Sequence, residues 1–447
     1  MGVSYFCKQK QRTDMNGIFI RLKSLWLALA AVVAGMGAWA QSWDSMPYGR
    51  AARLFAEAQR VCDADGGWLW GENIWGPVLL VRDADKMAFT NEPSLLPDTR
   101  RMESLWCGTL DSEIVVAGCA VSLKDVEVAM VPMFELSDSA MTEVFVHELF
   151  HRFQNRHFGR DEMVYDNAHV DTRSGRPLVL GELMELTKAL SCTGLDRRTH
   201  IEKALGYRQW RWTLFPDKVN DECRFEFQEG LALYTQYRLC LRDSAKVAGQ
   251  LCRDVENLLT SPNLSRQYGY YMGAIYGVLN DIEPSWRREV SPSRKLCELA
   301  AKAYGIDFTT QKDTTELKQT DSYVRVTQGV DSAEAARQAL RDKVARAIEA
   351  KEAVYVRADD YQMGFNPACV TGLDELGTFF SVIELKGEFG RIYSEYGCVI
   401  SGCPMLIVPP GGTKSMRKKG KGFEIELKKG WRLRECAEGY EVVRKRF

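Results

Sequence analysis

The chain has 447 residues, 45% hydrophobic and 27% charged, which is long enough for two or three domains. Its 36 glycines and 14 prolines are too few for an extended disordered or collagen-like chain. A formal net charge of −1 excludes the strongly basic balance of a whole-chain nucleic-acid binder, so no nucleic-acid partner is expected.

Residues 1–40 read as a signal peptide. Arg21 and Lys23 precede an apolar run from Leu25 to Trp39, and Ala38-Trp39-Ala40 has the small-x-small form of a cleavage site. The run is shorter than the roughly 20 residues of a spanning helix, so no stable membrane insertion is expected after cleavage. Export to a secreted or periplasmic location follows. Without these residues the chain carries 54 basic and 59 acidic side chains, a net −5. Twelve cysteines remain, an even number bound for an oxidising compartment. Several disulfides are therefore expected, and Cys398 and Cys403 are close enough for a small loop. The chain has no CxxC pair, which argues against a structural zinc ribbon.

Pro47 to Cys62 predicts an amphipathic helix, with Leu54, Ala58 and Val61 at helical spacing. Strand-like pieces follow at Gly76–Arg82, Glu113–Val121 and Val126–Met133. From Ser139 the pattern turns helical, with helices predicted at 139–157, 178–191, 196–214, 220–241, 244–259, 267–281 and 292–304. The polar stretch 309–330 reads as a linker and Ser332–Ala353 as a charged helix. Beyond Val354, short strand-like runs alternate with Gly-rich turns: Thr378–Leu385, Arg391–Tyr393, Met405–Val408, Phe423–Leu427, Trp431–Glu435 and Tyr440–Arg444. The expected class is α+β. The expected domains are a mostly helical one with a small N-terminal β region over 41–308, a linker and charged helix over 309–353, and a β-rich one over 354–447. Lys414–Phe447 holds twelve Lys or Arg against five Glu, which reads as the solvated face of β-hairpins.

The helix over 139–157 carries His147-Glu148-Leu149-Phe150-His151. Residues four apart on a helix share a face, so both imidazoles can hold one Zn²⁺. Glu148 is placed to take a proton from a water that the metal activates. Apolar Val144, Phe145, Leu149 and Phe153 supply the packing faces, and Ser137-Asp138-Ser139 an N-cap. A catalytic zinc needs a third protein ligand and an open fourth position. Glu229, in Gln228-Glu229-Gly230-Leu231-Ala232, and His157 compete for that role. His157 requires the chain to leave the helix after His151, but Gln154 is a good helix former and a poor turn residue. The turn argument therefore favours Glu229.

The pair H-E-L-F-H and Q-E-G-L-A-L-Y resembles the gluzincins, zinc peptidases that include thermolysin and the membrane-alanyl-aminopeptidase-like enzymes. The resemblance covers about residues 126–281. It implies a zincin-like, mostly helical catalytic domain with a small N-terminal β region, Glu229 as third ligand, and Glu148 as general base acting on a peptide or protein substrate. There are departures. Seventy-seven residues separate His151 from Glu229, a gap that must hold a helical hairpin. Leu233 stands where thermolysin-like chains carry an aspartate behind the ligands, so that support must come from elsewhere. These departures motivate two rivals: an inactive binding protein of zincin fold, and a metzincin-like enzyme using His157.

Zincins often stabilise the oxyanion with a downstream Tyr, for which Tyr270 or Tyr271 are the candidates. Glu222 and Glu226 share a helical face with Glu229, and Glu182 is a reserve acid near the site. Glu182 and Glu185 are otherwise expected to be exposed helical carboxylates, and His169 and His200 surface residues.

Overall fold

A computed structural model describes residues 48–445, apart from 112–113, 115, 162–164, 262, 357–360, 366–369, 374–375, 401–404, 408–422 and 438. The proposed signal peptide lies outside the described residues. No described helix is long and apolar enough to cross a membrane. The architecture is mixed α and β.

Helix α1 (Tyr48–Asp63) buries Leu54, Phe55, Ala58 and Val61, as its spacing predicts. A six-stranded sheet follows: β1 (Val78–Val81), β2 (Met87–Thr90), β3 (Arg100–Met102), β4 (Leu105–Thr109), β5 (Cys119–Leu123) and β6 (Val126–Pro132), in spatial order β3-β4-β2-β1-β6-β5. Every pairing is antiparallel except β1 with β6, which is parallel, Leu79 standing opposite Met130. Strand β1 is buried along its whole length, which is why it reads as the unbroken apolar run Val-Leu-Leu-Val. Val78, Leu80, Ala129 and Val131 face the helical body, whereas Leu79, Val81, Val128 and Met130 face a second core with Leu95, Leu96 and Val116. The strand expected over 113–121 begins only at Cys119. Strands β2, β3 and β4 were not predicted; at three to five residues they are too short for periodicity to register.

Helix α2 (Asp138–Phe158) packs on β5 and β6. Ser137 Oγ accepts the Ala140 amide at 3.2 Å at its start, and Gly159, at φ +80°, ends it. Helices α3 (Arg176–Ser191) and α4 (Gly194–Leu214) form the inserted hairpin. The predicted helix over 220–241 is in fact three pieces: α5 (Val219–Phe225), a π-turn (Glu226–Gly230) and α6 (Leu231–Leu241). Then come α7 (Ser244–Leu259), α8 (Tyr268–Asn280) and α9 (Leu296–Ala303).

The expected linker over 309–330 is corrected by the structure. It holds α10 (Thr314–Lys318) and the first turns of α11 (Asp321–Glu349). Thr320 caps α11 by accepting the Tyr323 amide, and Val326 joins the main core. Farther along α11, Val344 and Ala347 pack with Phe379 and Val399 of the C-terminal strands. One helix thus belongs to both cores. The C-terminal strands form a seven-stranded and a four-stranded sheet around Val354, Val356, Ile383, Leu385, Phe389 and Ile392. The run expected as one strand over 378–385 is divided between the two sheets, as Thr378–Phe380 and Ile383–Gly387.

The ten described cysteines are free, in contrast to the expected disulfides. Several are small core residues in apolar surroundings, Cys119, Cys297 and Cys398 among them, and burial raises all three thiols. Cys403, the proposed partner of Cys398, lies outside the described residues.

Candidate metal centre

His147 and His151 project from one face of α2, and Glu229 reaches them from the π-turn. Glu229 Oε2 stands 3.4 Å from Nε2 of each histidine. The three ligand atoms all lie within 4.8 Å of one another, a group able to hold a metal ion. Donors about 2.1 Å from a tetrahedral ion stand about 3.4 Å apart, so the two Glu229 separations fit such a site. All three side chains are buried, at 2%, 4% and 2% exposure for His147, His151 and Glu229.

Ring tautomers follow from the amides behind the histidines. Gln236 Nε2 donates to Glu143 Oε2 at 3.0 Å, which leaves its Oε1 facing His147 Nδ1 at 3.2 Å. Gln154 Nε2 donates to the Phe227 and Gln228 carbonyls at 2.9 and 3.2 Å, leaving its Oε1 2.9 Å from His151 Nδ1. His147 Nδ1 then carries the proton and its Nε2 turns towards Glu229, whereas His151 Nδ1 meets a donor as well as the Gln154 acceptor. The Gln228 amide touches the same His151 nitrogen at 3.0 Å. Ring nitrogens and a carboxylate at this spacing need a positive charge between them, which a proton on His151 supplies in the metal-free protein and a metal ion can replace. The cluster's chemistry therefore matches a cation with nitrogen and oxygen ligands, and Glu229 Oε1 is left buried with no partner. Gln154 and Gln236 supply the support that the missing aspartate does not.

The charges respond to the same geometry. Glu229 is buried, yet the two imidazoles hold its carboxyl well below the usual range. Burial drives His151 down, but the Glu229 and Glu148 carboxylates outweigh it and lift the ring to about 9. His147 is lowered, by burial first. Burial pushes the Glu148 carboxyl up to about 8, and its Oε2 has no hydrogen-bond partner. Gly118, just before β5, makes room for it: a Cβ there would sit 2.6 Å from Glu148 Oε1.

The π-turn aims Glu229. One extra residue in the turn shifts the facing of the side chains that follow. Glycines let the turn lie against α8, since a Cβ on Gly230 would meet Gly273 Cα at 2.5 Å and the Gly269 carbonyl at 2.7 Å. Tyr270 on α8 stacks on His147, ring centroids 6.0 Å apart and planes 18° apart. Its phenol is raised by burial and by the Glu229 and Glu148 carboxylates. Tyr271 is turned away from the cluster: it is buried on the side of Asp254, which also accepts a hydrogen bond from Tyr237 at 2.7 Å.

The remaining candidates are sorted by their partners. His157 is not part of the cluster, because α2 continues through Gln154 and carries it to Glu72, 3.1 Å away. Glu222, Glu226 and Glu182 belong to a separate buried network. Arg208 grips Glu226 through two bonds of 2.9 and 2.7 Å and Glu182 through one of 2.6 Å. Arg211 holds Glu222 at 2.8 Å through both nitrogens and Glu182 at 2.8 Å. His169 bonds Glu222 at 2.6 Å and Tyr276 donates to Glu182 at 2.7 Å. Glu182 and Glu185 are thus buried rather than exposed, Glu185 bonding His200 at 2.7 Å, and His169 is buried rather than superficial. Sequence reasoning missed Gln154, Gln228 and Gln236. Spacing held a signal for two of them: Gln154 lies three residues after His151 and Gln236 seven after Glu229, each on its ligand's helical face.

Comparison with protein families, with curated proteins and with solved structures returns no match.

Proposed function

We propose that the chain is an exported zinc-dependent peptidase with a zincin-like catalytic domain. The observation that carries this reading is the convergence of His147, His151 and Glu229, with Glu229 3.4 Å from each ring nitrogen, beside a buried Glu148 carboxyl whose Oε2 has no partner. Zn²⁺ held by these three residues supplies Lewis acidity, lowering the pKa of water and polarising a carbonyl. Glu148 is the general base: it takes the proton of the attacking water and delivers it to the leaving amine. A carboxyl raised by burial accepts and returns that proton near neutral pH. The Tyr270 phenol, kept protonated beside two carboxylates, donates to the oxyanion of the tetrahedral intermediate. Gln236 holds the His147 ring in the ligating tautomer, and Gln154 orients the His151 ring.

One observation favours a second reading. The three ligands and Glu148, 6% exposed, are all deeply buried, as in a metal site that binds without turnover. Zinc per chain, measured by elemental mass spectrometry with peptide hydrolysis on the same samples, decides between them. The peptidase reading expects near-stoichiometric zinc in the wild type, its loss in Glu229→Ala, and zinc without turnover in Glu148→Gln. Absence of zinc uptake overturns both metal readings. Zinc with no hydrolysis of any peptide in a broad library leaves the binding protein.

A further inference from the structure

Each arginine that is deeply buried in the helical body has a described acidic partner. Arg176 has Asp171, Arg208 has Glu182 and Glu226, and Arg211 has Glu222. Arg266 stands apart. It is half-buried, and among the described residues it makes no hydrogen bond and no ion pair. Burial pulls its guanidinium below the ordinary range, only partly opposed by the Asp166 carboxylate and the Tyr270 phenol. Asp166 is itself engaged, by Lys218. A partly desolvated, unpaired cation is costly to keep unless something else satisfies it.

The turn that presents Arg266 is rigid. Asp171 Oδ1 accepts the Leu264 amide at 2.7 Å, and Oδ2 accepts the Ser265 amide at 3.1 Å. Ser265 Oγ donates to Asn263 Oδ1 at 2.7 Å. Gln267 Nε2 donates to the Asn263 carbonyl at 2.9 Å and to Ser261 Oγ at 3.0 Å. Asp171, Asn263, Leu264 and Gln267, which build this turn, are all buried. The turn leads directly into α8, whose third residue is Tyr270, stacked on His147. Arg266 therefore sits four residues before the tyrosine that faces the candidate metal cluster, on a backbone fixed before any ligand arrives.

We propose that Arg266 recognises a carboxylate of the substrate, held close to the bond being cleaved. This rests on the peptidase reading of the same site. A planar guanidinium pairs with a carboxylate through two parallel hydrogen bonds, and partial desolvation strengthens that pairing over what bulk water permits. The carboxylate has two sources in a peptide: an acidic side chain flanking the scissile bond, or a free C-terminus.

The test uses the full exported chain in a Glu148→Gln background, where peptide binds without turnover. Calorimetry compares two pairs of peptides, one pair differing only by Glu against Gln beside the scissile position, the other only by a free against an amidated C-terminus. Binding at least about tenfold tighter for the carboxylate member of one pair is expected, the worth of a charge-assisted hydrogen bond. The pair that shows the gap identifies the source. Arg266→Met should close the gap and Arg266→Lys partly restore it. In the otherwise wild-type chain, the ratio of kcat/KM within that pair should fall towards one in Arg266→Met. A missing gap in both pairs, or a gap that survives Arg266→Met, overturns the proposal. Zinc content on the same samples keeps the two readings apart. Zinc-free protein with an Arg266-dependent gap retains the carboxylate site and loses the peptidase, whereas zinc-loaded protein without a gap loses only the carboxylate site.

Discussion

Replacing Glu148 by Gln should make the metal-free protein less sensitive to pH. Burial raises the Glu148 carboxyl from 4.5 to about 8. An acid raised on folding contributes stability that is fully present below its unfolded pKa and is lost as pH rises through its folded one. The window is therefore pH 4.5 to about 8, falling by about 1.4 kcal/mol per unit. Between pH 5 and 8 the Glu148 share is on the order of 4 kcal/mol. His151 has the same sign over a higher window: lifted from 6.5 to about 9 against its burial, it loses its contribution as pH rises through that range. The wild type should therefore steepen above pH 6.5, while Glu148→Gln loses the Glu148 part and keeps a smaller His151 part, because the Glu148 carboxylate is one cause of that ring's rise. Urea unfolding of chelator-treated wild type and variant at pH 5, 6.5 and 8 measures the difference. The stability of Glu148→Gln relative to wild type should grow with pH by that order of magnitude. A difference that is the same at pH 5 and pH 8 refutes a desolvated Glu148, and with it the poised general base.

Three further substitutions test the parts around it. Gly230→Ala places a methyl against backbone on α8, so the π-turn must move; zinc uptake should fall and the chain should lose about 1–3 kcal/mol, the usual cost of overpacking. Unchanged zinc stoichiometry and melting temperature would count against the turn as the aiming device. Gln236→Leu frees His147 Nδ1 and should weaken zinc about tenfold to a hundredfold in competition with a chromophoric chelator; equal affinity would show that the ring needs no such hold. Arg208→Met strands Glu226 in the core, while Glu182 keeps Arg211, and should cost about 3–5 kcal/mol by denaturant midpoint. A shift under about 1 kcal/mol would mean that water reaches the network.

The two histidines were legible because their spacing is itself the geometry: four residues on a helix put both rings on one face. That His157 stands outside the cluster was legible too, since the helix former at 154 keeps α2 running and carries His157 out to Glu72. Glu229 was reachable by motif but not by period, because the π-turn breaks the 3.6-residue repeat that pattern reading assumes. Tyr270 and Tyr271 are adjacent, and sequence could not choose between residues about 100° apart on α8. Glu182 was misread through composition: it resembles a solvated helix residue until Arg208 and Arg211, from the other helix of the hairpin, close on it. The start of α11 was read as a linker because its polar face outweighs the few contacts, such as Val326, that anchor it.

The Arg208–Arg211 network also restricts how this chain can vary among relatives. Five charged positions, 182, 208, 211, 222 and 226, share one dry space, and each acid is matched by a guanidinium. Loss of an arginine strands a carboxylate, so replacing Arg208 or Arg211 alone is disfavoured, whereas joint replacement with the acids by apolar residues of similar volume can be neutral. With three acids to two guanidiniums, loss of a single acid still leaves both arginines paired. The two arginines are therefore expected to change only together with their acids.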